Sequence, residues 1–331
     1  MKVIIPNWYH KKGRHCASTA IRDAMRFWAI PFSEAFCFGL GRGLGAFYLK
    51  NTSFSPSRWL MTRSADLERK FFTALEIPFE WEQAETEHEA WIKTKEYIDN
   101  GIPVLLQTDL FYLDYYNTKT HFNRHAVLLW GYDEEEKFAY LSDTDWEGLM
   151  SVPLTSLAKA RCSSFLPGPV KFDCFPIHKP AKLPDIGKAT IQAIKLNAFE
   201  LSRTDEKFPL KLGTKALKEL AYDLHSWGEA HDWKWSARFA YQAIEKRGTG
   251  GGAFRKMYAD FLEEVEKTTP PLEKAGLTKL MRSIGEKWTQ FALCLKEISE
   301  KESPTGFDEA GEIARELFEM ESHYCERALE F

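Results

Sequence analysis

The segment Gly13-Arg14-His15-Cys16-Ala17-Ser18 places a cysteine where irregular sequence gives way to an amphipathic pattern. Ala17, Ala20, Ile21, Ala24, Met25 and Trp28 recur at three- and four-residue spacing, with Arg22, Asp23 and Arg26 opposite. That spacing predicts a helix led by Cys16. The first N–H groups of a helix have no carbonyl partner within it, and its dipole favours negative charge at that end. A thiolate there is stabilised, and the thiol pKa falls. The same N–H groups can hold the oxyanion formed when sulfur attacks a carbonyl. The chemistry indicated is nucleophilic attack on an acyl carbon.

A nucleophile needs a base, and the base needs an orienting group. His125 opens the run His-Ala-Val-Leu-Leu-Trp-Gly-Tyr, and Asp143 closes Phe138-Ala-Tyr-Leu-Ser-Asp. Both runs read as strands, joined by the short polar Asp133-Glu-Glu-Glu136 of a hairpin. In an antiparallel pair the start of the first strand lies beside the end of the second. The carboxylate could then fix the imidazole tautomer and stabilise its protonated form. Cys16, His125 and Asp143 are the candidate catalytic residues; His15, adjacent to the sulfur, is the weaker base.

Other polar positions have two readings each. Glu34 could bind an acceptor amine or cap a helix. Tyr112 and Tyr115, in the aromatic cluster Leu110–Asn117, could line an acyl or sugar pocket or pack against the helical bundle expected of the second half. Lys246-Arg-Gly-Thr-Gly-Gly-Gly-Ala-Phe-Arg255 sets a glycine run before a helix. Arg255 could help hold a phosphate at that helix start, or the run could be a plain loop. Gly39-Leu-Gly-Arg-Gly-Leu-Gly45 follows no β-α-β unit, so no dinucleotide cofactor is expected; a tight loop close to the site is. His121 and His125 precede a strand, and the six cysteines form no C-x-x-C pair, so neither a metal nor any other cofactor is expected.

These residues sit in two contrasting halves of a 331-residue chain. Further helices are predicted at 64–75 and 87–99, and strands at 103–107, 125–132 and 137–142, an α+β pattern. After a proline-rich seam, 186–202, 214–228, 234–246, 252–267, 272–299 and 308–330 all carry a helical period, which predicts a bundle. The expected domains are 1–178 and 179–331. With 24 Phe, 11 Trp and 12 Tyr there is ample apolar surface to bury, which excludes disorder as the main state. A net charge of −4 offers no footprint for nucleic acid or an anionic membrane. No run approaches the length of a membrane span, and the N-terminus lacks the features of a secretory signal, so a cytoplasmic protein with reduced thiols is expected.

Five stretches resemble the N-terminal domain family of butirosin biosynthesis protein H: Gly13–Ala20, Ser33–Gly45, His125–Asp133, Asp143 and Leu157–Arg161. Ile244–Leu262 is similar to the helical domain of unknown function that often follows it. The resemblance implies a papain-like α+β domain with a Cys–His–Asp triad, followed by an all-α domain. It further implies transfer of an acyl or aminoacyl group from a thioester, with an acyl carrier protein or another thioester as donor and a small-molecule amine of a specialised metabolite as acceptor. Papain-like enzymes add an oxyanion donor just upstream of the cysteine; the candidates here are Asn7 and His10, neither being the usual glutamine. An amide or peptide hydrolase with the same triad is the alternative, and a non-catalytic binding module the second alternative.

Overall fold

The structure, a computed structural model, describes residues 1–165, 168–203 and 210–330. The first part of the chain runs β1 (Lys2–Ile4), α1 (Cys16–Phe27), α2 (Glu34–Leu40), β2 (Leu44–Lys50), β3 (Arg58–Arg63), α3 (Leu67–Ala74), α4 (Glu87–Asp99), β4 (Val104–Thr108), β5 (His125–Asp133), β6 (Phe138–Ser142), β7 (Met150–Pro153), α5 (Leu154–Arg161) and β8 (Cys174–Pro176). Then come α6 (Ile186–Ser202), β9 (Lys211–Leu212), α7 (Gly213–Asp223), α8 (Trp233–Glu245), α9 (Arg255–Glu266), α10 (Pro270–Ala275), α11 (Leu277–Glu300) and α12 (Phe307–Glu330). The chain is α+β in its first half and almost wholly helical thereafter. No helix among the described residues is long and apolar enough to cross a membrane.

These elements form two units. One joins Met1–Cys37 to Glu76–Leu183; the other joins Phe38–Leu75 to Pro184–Phe331. A linear cut at 178/179 therefore does not describe the packing, because Phe38–Leu75 belongs with the helices. The reason is strand pairing: β2 pairs antiparallel with β3 on one side and with β9, far along the chain, on the other.

In the first unit an antiparallel sheet has the order β7-β6-β5-β4-β8, and β1 pairs with the end of β5 beyond β4. All nine residues of β5 are buried, as befits a central strand covered on both faces. The β5–β6 hairpin closes where Asp133 Oδ1 accepts the N–H groups of Glu135 and Glu136, and Lys137 takes a positive φ. Val104, Leu106, Val127, Leu129 and Leu141 from the sheet bury against Ile98 of α4 and Leu157 and Ala160 of α5.

In the second unit the helical periods place Met281, Ile284, Trp288, Phe291, Leu295 and Ile298 of α11 on one buried face. Three expected boundaries move for local reasons. Gly276, at φ +65°, separates α10 from α11 within 272–299. The helix expected over 214–228 tightens to a 3-10 turn after Asp223. Left-handed Ala253 and Phe254 delay α9 until Arg255. Within 39–45 the chain makes a tight turn between α2 and β2, and its glycines let this unit pack: a Cβ on Gly45 would lie 2.4 Å from the Arg63 carbonyl carbon, and one on Gly39 2.1 Å from the Phe261 ring.

Candidate active site

Cys16 is the first residue of α1. His15 is its N-cap: the backbone is extended there, and Nδ1 accepts the N–H of Ser18 at 3.3 Å. That assigns His15 to helix capping rather than to base chemistry. The approach to the cysteine is held from two sides. Glu34 Oε1 accepts the N–H groups of Arg14 and His15, each at 2.8 Å, and the hydroxyl of Thr19 at 3.1 Å. The Gly13 N–H donates to the carbonyl of Thr144 at 3.0 Å, which ties the loop to the residue after Asp143. Gly13 has no room for a side chain, since a Cβ would lie 1.9 Å from Thr19 Oγ1.

His10 supplies a further tie. Its Nδ1 lies 2.6 Å from Asp23 Oδ2 and its Nε2 2.9 Å from the carbonyl of Trp146. Both partners are acceptors, so both ring nitrogens donate and the imidazole is protonated. Burial alone pulls its pKa down, but the Asp23 bond and charge outweigh burial and hold it above the usual histidine value. Arg22 donates to the other oxygen of Asp23 through Nε at 2.9 Å and Nη2 at 2.7 Å, and also to the carbonyl of Lys11.

The β5–β6 hairpin brings His125 and Asp143 together. Leu128 pairs with Ser142, so Asp143 reaches His125 as a diagonal cross-strand neighbour. His125 Nε2 donates to Asp143 Oδ1 at 2.8 Å, both side chains being buried. Two tyrosines complete the carboxylate's shell: Tyr115 donates to Oδ2 at 2.7 Å and Tyr116 to Oδ1 at 3.1 Å. Tyr116 also lies 3.2 Å from Asp145. Burial and the nearby carboxylate push both phenols well above their usual range, so they act as neutral donors.

Electrostatics favour charge separation at this pair. Burial is the largest single influence on His125 and lowers its pKa; the Asp143 charge and bond, aided by the Cys16 sulfur as acceptor and negative charge, carry it well above the ordinary value. Burial likewise opposes ionisation of Asp143, yet His125, Tyr115 and Tyr116 together hold it below the carboxylate range. The two groups titrate as a coupled pair.

The sign of each shift sets a pH window. A raised histidine contributes stability that is complete below its ordinary value of 6.5 and is lost as pH rises through the folded value. A depressed carboxylate contributes stability present above 3.8 and lost as pH falls through its folded value. The unfolding free energy of the wild type minus that of Asp143→Asn is therefore expected to be greatest between those ordinary values and to shrink on the alkaline side. Urea titrations at stepped pH read this directly; a flat difference would contradict it.

The remaining candidates are placed elsewhere in the bonding pattern. Glu34 holds the Cys16 loop through Oε1, with its Oε2 3.9 Å from Arg22. Tyr115 orients Asp143, while Tyr112 packs edge-on to His121 at 5.8 Å. Asn7 sits exposed in a left-handed turn, and His10 has both N–H groups engaged, so neither is presented as an oxyanion donor.

Arg255 is fully buried rather than open to substrate. Its Nε pairs with Glu321 at 2.7 Å, Nη1 donates to the carbonyls of Thr62 and Ala253, and Nη2 to that of Gly45. The glycine amides ahead of it are also taken, Gly251 by Thr249 and Gly252 by Glu245. A carboxylate already occupies the place a phosphate would need.

A second histidine–carboxylate pair went unnoticed in the sequence. His121 Nδ1 lies 2.6 Å from the buried Asp109, which also accepts from Ser163 at 2.7 Å. Its ring is stacked between Phe111 and Phe165. Cys16 figures among the electrostatic influences on His125, which sets that pair apart. Among the described residues no group of three or more His, Cys, Asp or Glu side chains could hold a metal ion.

Comparison with known families divides the chain in the same order. Residues 15–144 match the family described as Butirosin biosynthesis protein H, N-terminal, and Cys16, His125 and Asp143 all fall inside the match. Residues 155–328 match the Domain of unknown function (DUF4872), so Leu157–Arg161 falls in this match and not in the first. No curated protein matches the chain. The second match spans more than half of the chain, which thus belongs to the DUF4872 family, carrying a butirosin biosynthesis protein H N-terminal region ahead of that domain.

Proposed function

We propose that the chain is a cysteine-dependent acyltransferase that accepts an acyl or aminoacyl group from a thioester and passes it to an amine of a specialised metabolite. The observation that carries this reading is the buried His125–Asp143 pair, whose imidazole feels Cys16 at the start of α1 among its electrostatic influences. The family match adds the class of chemistry, since the name it bears is that of a biosynthesis protein. With Nε2 committed to Asp143, Nδ1 is the nitrogen left to exchange a proton with sulfur.

Cys16 thiolate would attack the thioester carbonyl, and the tetrahedral oxyanion would gain from the first-turn N–H groups of α1. Collapse breaks the carbon–sulfur bond of the donor, whose thiolate leaves with the proton of His125, and an acyl-cysteine remains. The amine then attacks that acyl carbon, gives its proton to His125 and releases Cys16. An acyl carrier protein is the donor most in keeping with the family.

Intact-mass measurement after incubation with aminoacyl thioesters of N-acetylcysteamine tests the proposal. The wild type is expected to gain the mass of one acyl group, and Cys16→Ala none. Loss of the adduct upon adding an amine, with an amide formed, identifies a transferase. Loss to water at the same rate with or without amine would point to a hydrolase, and no adduct from any thioester to a binding module.

A further inference from the structure

Arg161, at the C-terminal end of α5, is 2 % exposed. A guanidinium does not lose its proton in a protein, so a full positive charge is buried there. Its contacts are the Phe172 ring, 5.9 Å from the guanidinium carbon, and long hydrogen bonds. Nη1 lies 3.5 Å from the Ala90 carbonyl and 3.3 Å from Thr94 Oγ1, and Nη2 lies 3.5 Å from the Phe172 carbonyl. Nε has no partner. Among the described residues no carboxylate forms an ion pair with it. Asp173 is near enough to be felt, but its oxygens accept from Gln83 at 2.8 Å and from the Lys171 N–H at 3.0 Å. Burial raises the Cys174 thiol, which keeps that neighbour neutral. A buried cation without an ion-pair partner costs several kcal/mol in general, and such a group lining a pocket is a candidate ligand-binding group.

The same arginine lines a cavity of about 430 Å³ between α4 and α5, within the size range of small-molecule sites. Trp91, Leu154, Leu157 and Phe172 give it apolar walls, and Glu87 and His88 stand at its exposed end. Apolar walls with one buried cation fit an amphiphilic anion better than a bare phosphate, which would leave those walls wet. We propose that this cavity binds a small carboxylate with an aromatic or aliphatic body, its carboxylate paired with Arg161 and its body against Trp91 and Phe172. The site uses none of Cys16, His125 or Asp143, so it stands or falls independently of the acyl-transfer reading.

Isothermal titration of the full chain with 3-phenylpropionate, set against neutral 3-phenylpropanamide, tests it. The acid is expected to bind saturably, one per chain and at least tenfold more tightly than the amide. Arg161→Gln should erase the difference between them. Ala158→Phe, which fills the cavity while leaving the arginine in place, should weaken both at least tenfold and serves if the Arg161 variant does not fold. Cys16→Ala should bind the acid as the wild type does. Equal affinity for acid and amide, binding unaffected by Ala158→Phe, loss of binding in Cys16→Ala, competition by inorganic phosphate at similar concentration, or no saturable binding would each overturn the proposal.

Discussion

Cys16→Ala and His125→Ala are each expected to lower single-turnover acyl transfer at least about a thousandfold, and the double variant to fall little further. Groups that act as one unit lose their joint effect when either goes, so their deletions do not add. In the proposed mechanism Cys16 and Asp143 both work through the single imidazole of His125. The single variants should differ in stability. Cys16 is half-buried and its truncation falls among ordinary substitutions, about 1 kcal/mol or less. Removing His125 leaves the Asp143 charge buried with only tyrosine hydroxyls to satisfy it, so urea midpoints should drop further there. Rates are therefore to be normalised to folded protein. Residual transfer within tenfold of wild type in either variant would remove the residue from the mechanism.

Arg255→Met is expected to give the largest loss of stability, about 3–5 kcal/mol in urea unfolding, the usual cost of removing one partner of a buried ion pair. The Arg255 and Glu321 side chains are both 0 % exposed. Without the guanidinium, Glu321 keeps one donor, Trp288 Nε1 at 2.8 Å. The carbonyls of Thr62, Gly45 and Ala253 lose theirs as well. Adding Glu321→Met should thus restore only part of the loss, since the orphaned carbonyls remain. Were Arg255 a ligand group instead, the single variant would unfold at the wild-type midpoint.

Cys16 at a helix start and the meeting of His125 with Asp143 were legible beforehand because each depends on local periodicity: a 3.6-residue stripe and a two-strand hairpin with an aspartate in its turn. The role of Glu34 was not. Its shortest bonds come from backbone N–H groups, which no side-chain pattern announces. Arg255 misled for a related reason: a glycine run before a helix looks alike whether its amides are vacant or taken, and here Thr249 and Glu245 have taken them. The placement of Phe38–Leu75 lay beyond local reading because β2 finds β9 some 160 residues away.

That interleaving constrains how the protein can be taken apart. The backbone leaves the first unit inside α2, builds β2, β3 and α3, and returns at Glu76 before passing over for good near Pro184. A fragment beginning at residue 184 would lack the strands whose Thr62 and Gly45 carbonyls receive Arg255. Reconstituting the helical part from separate polypeptides requires residues 38–75 as a second piece supplied in trans. Likewise, a chimera that trades helical domains between relatives must exchange both stretches together.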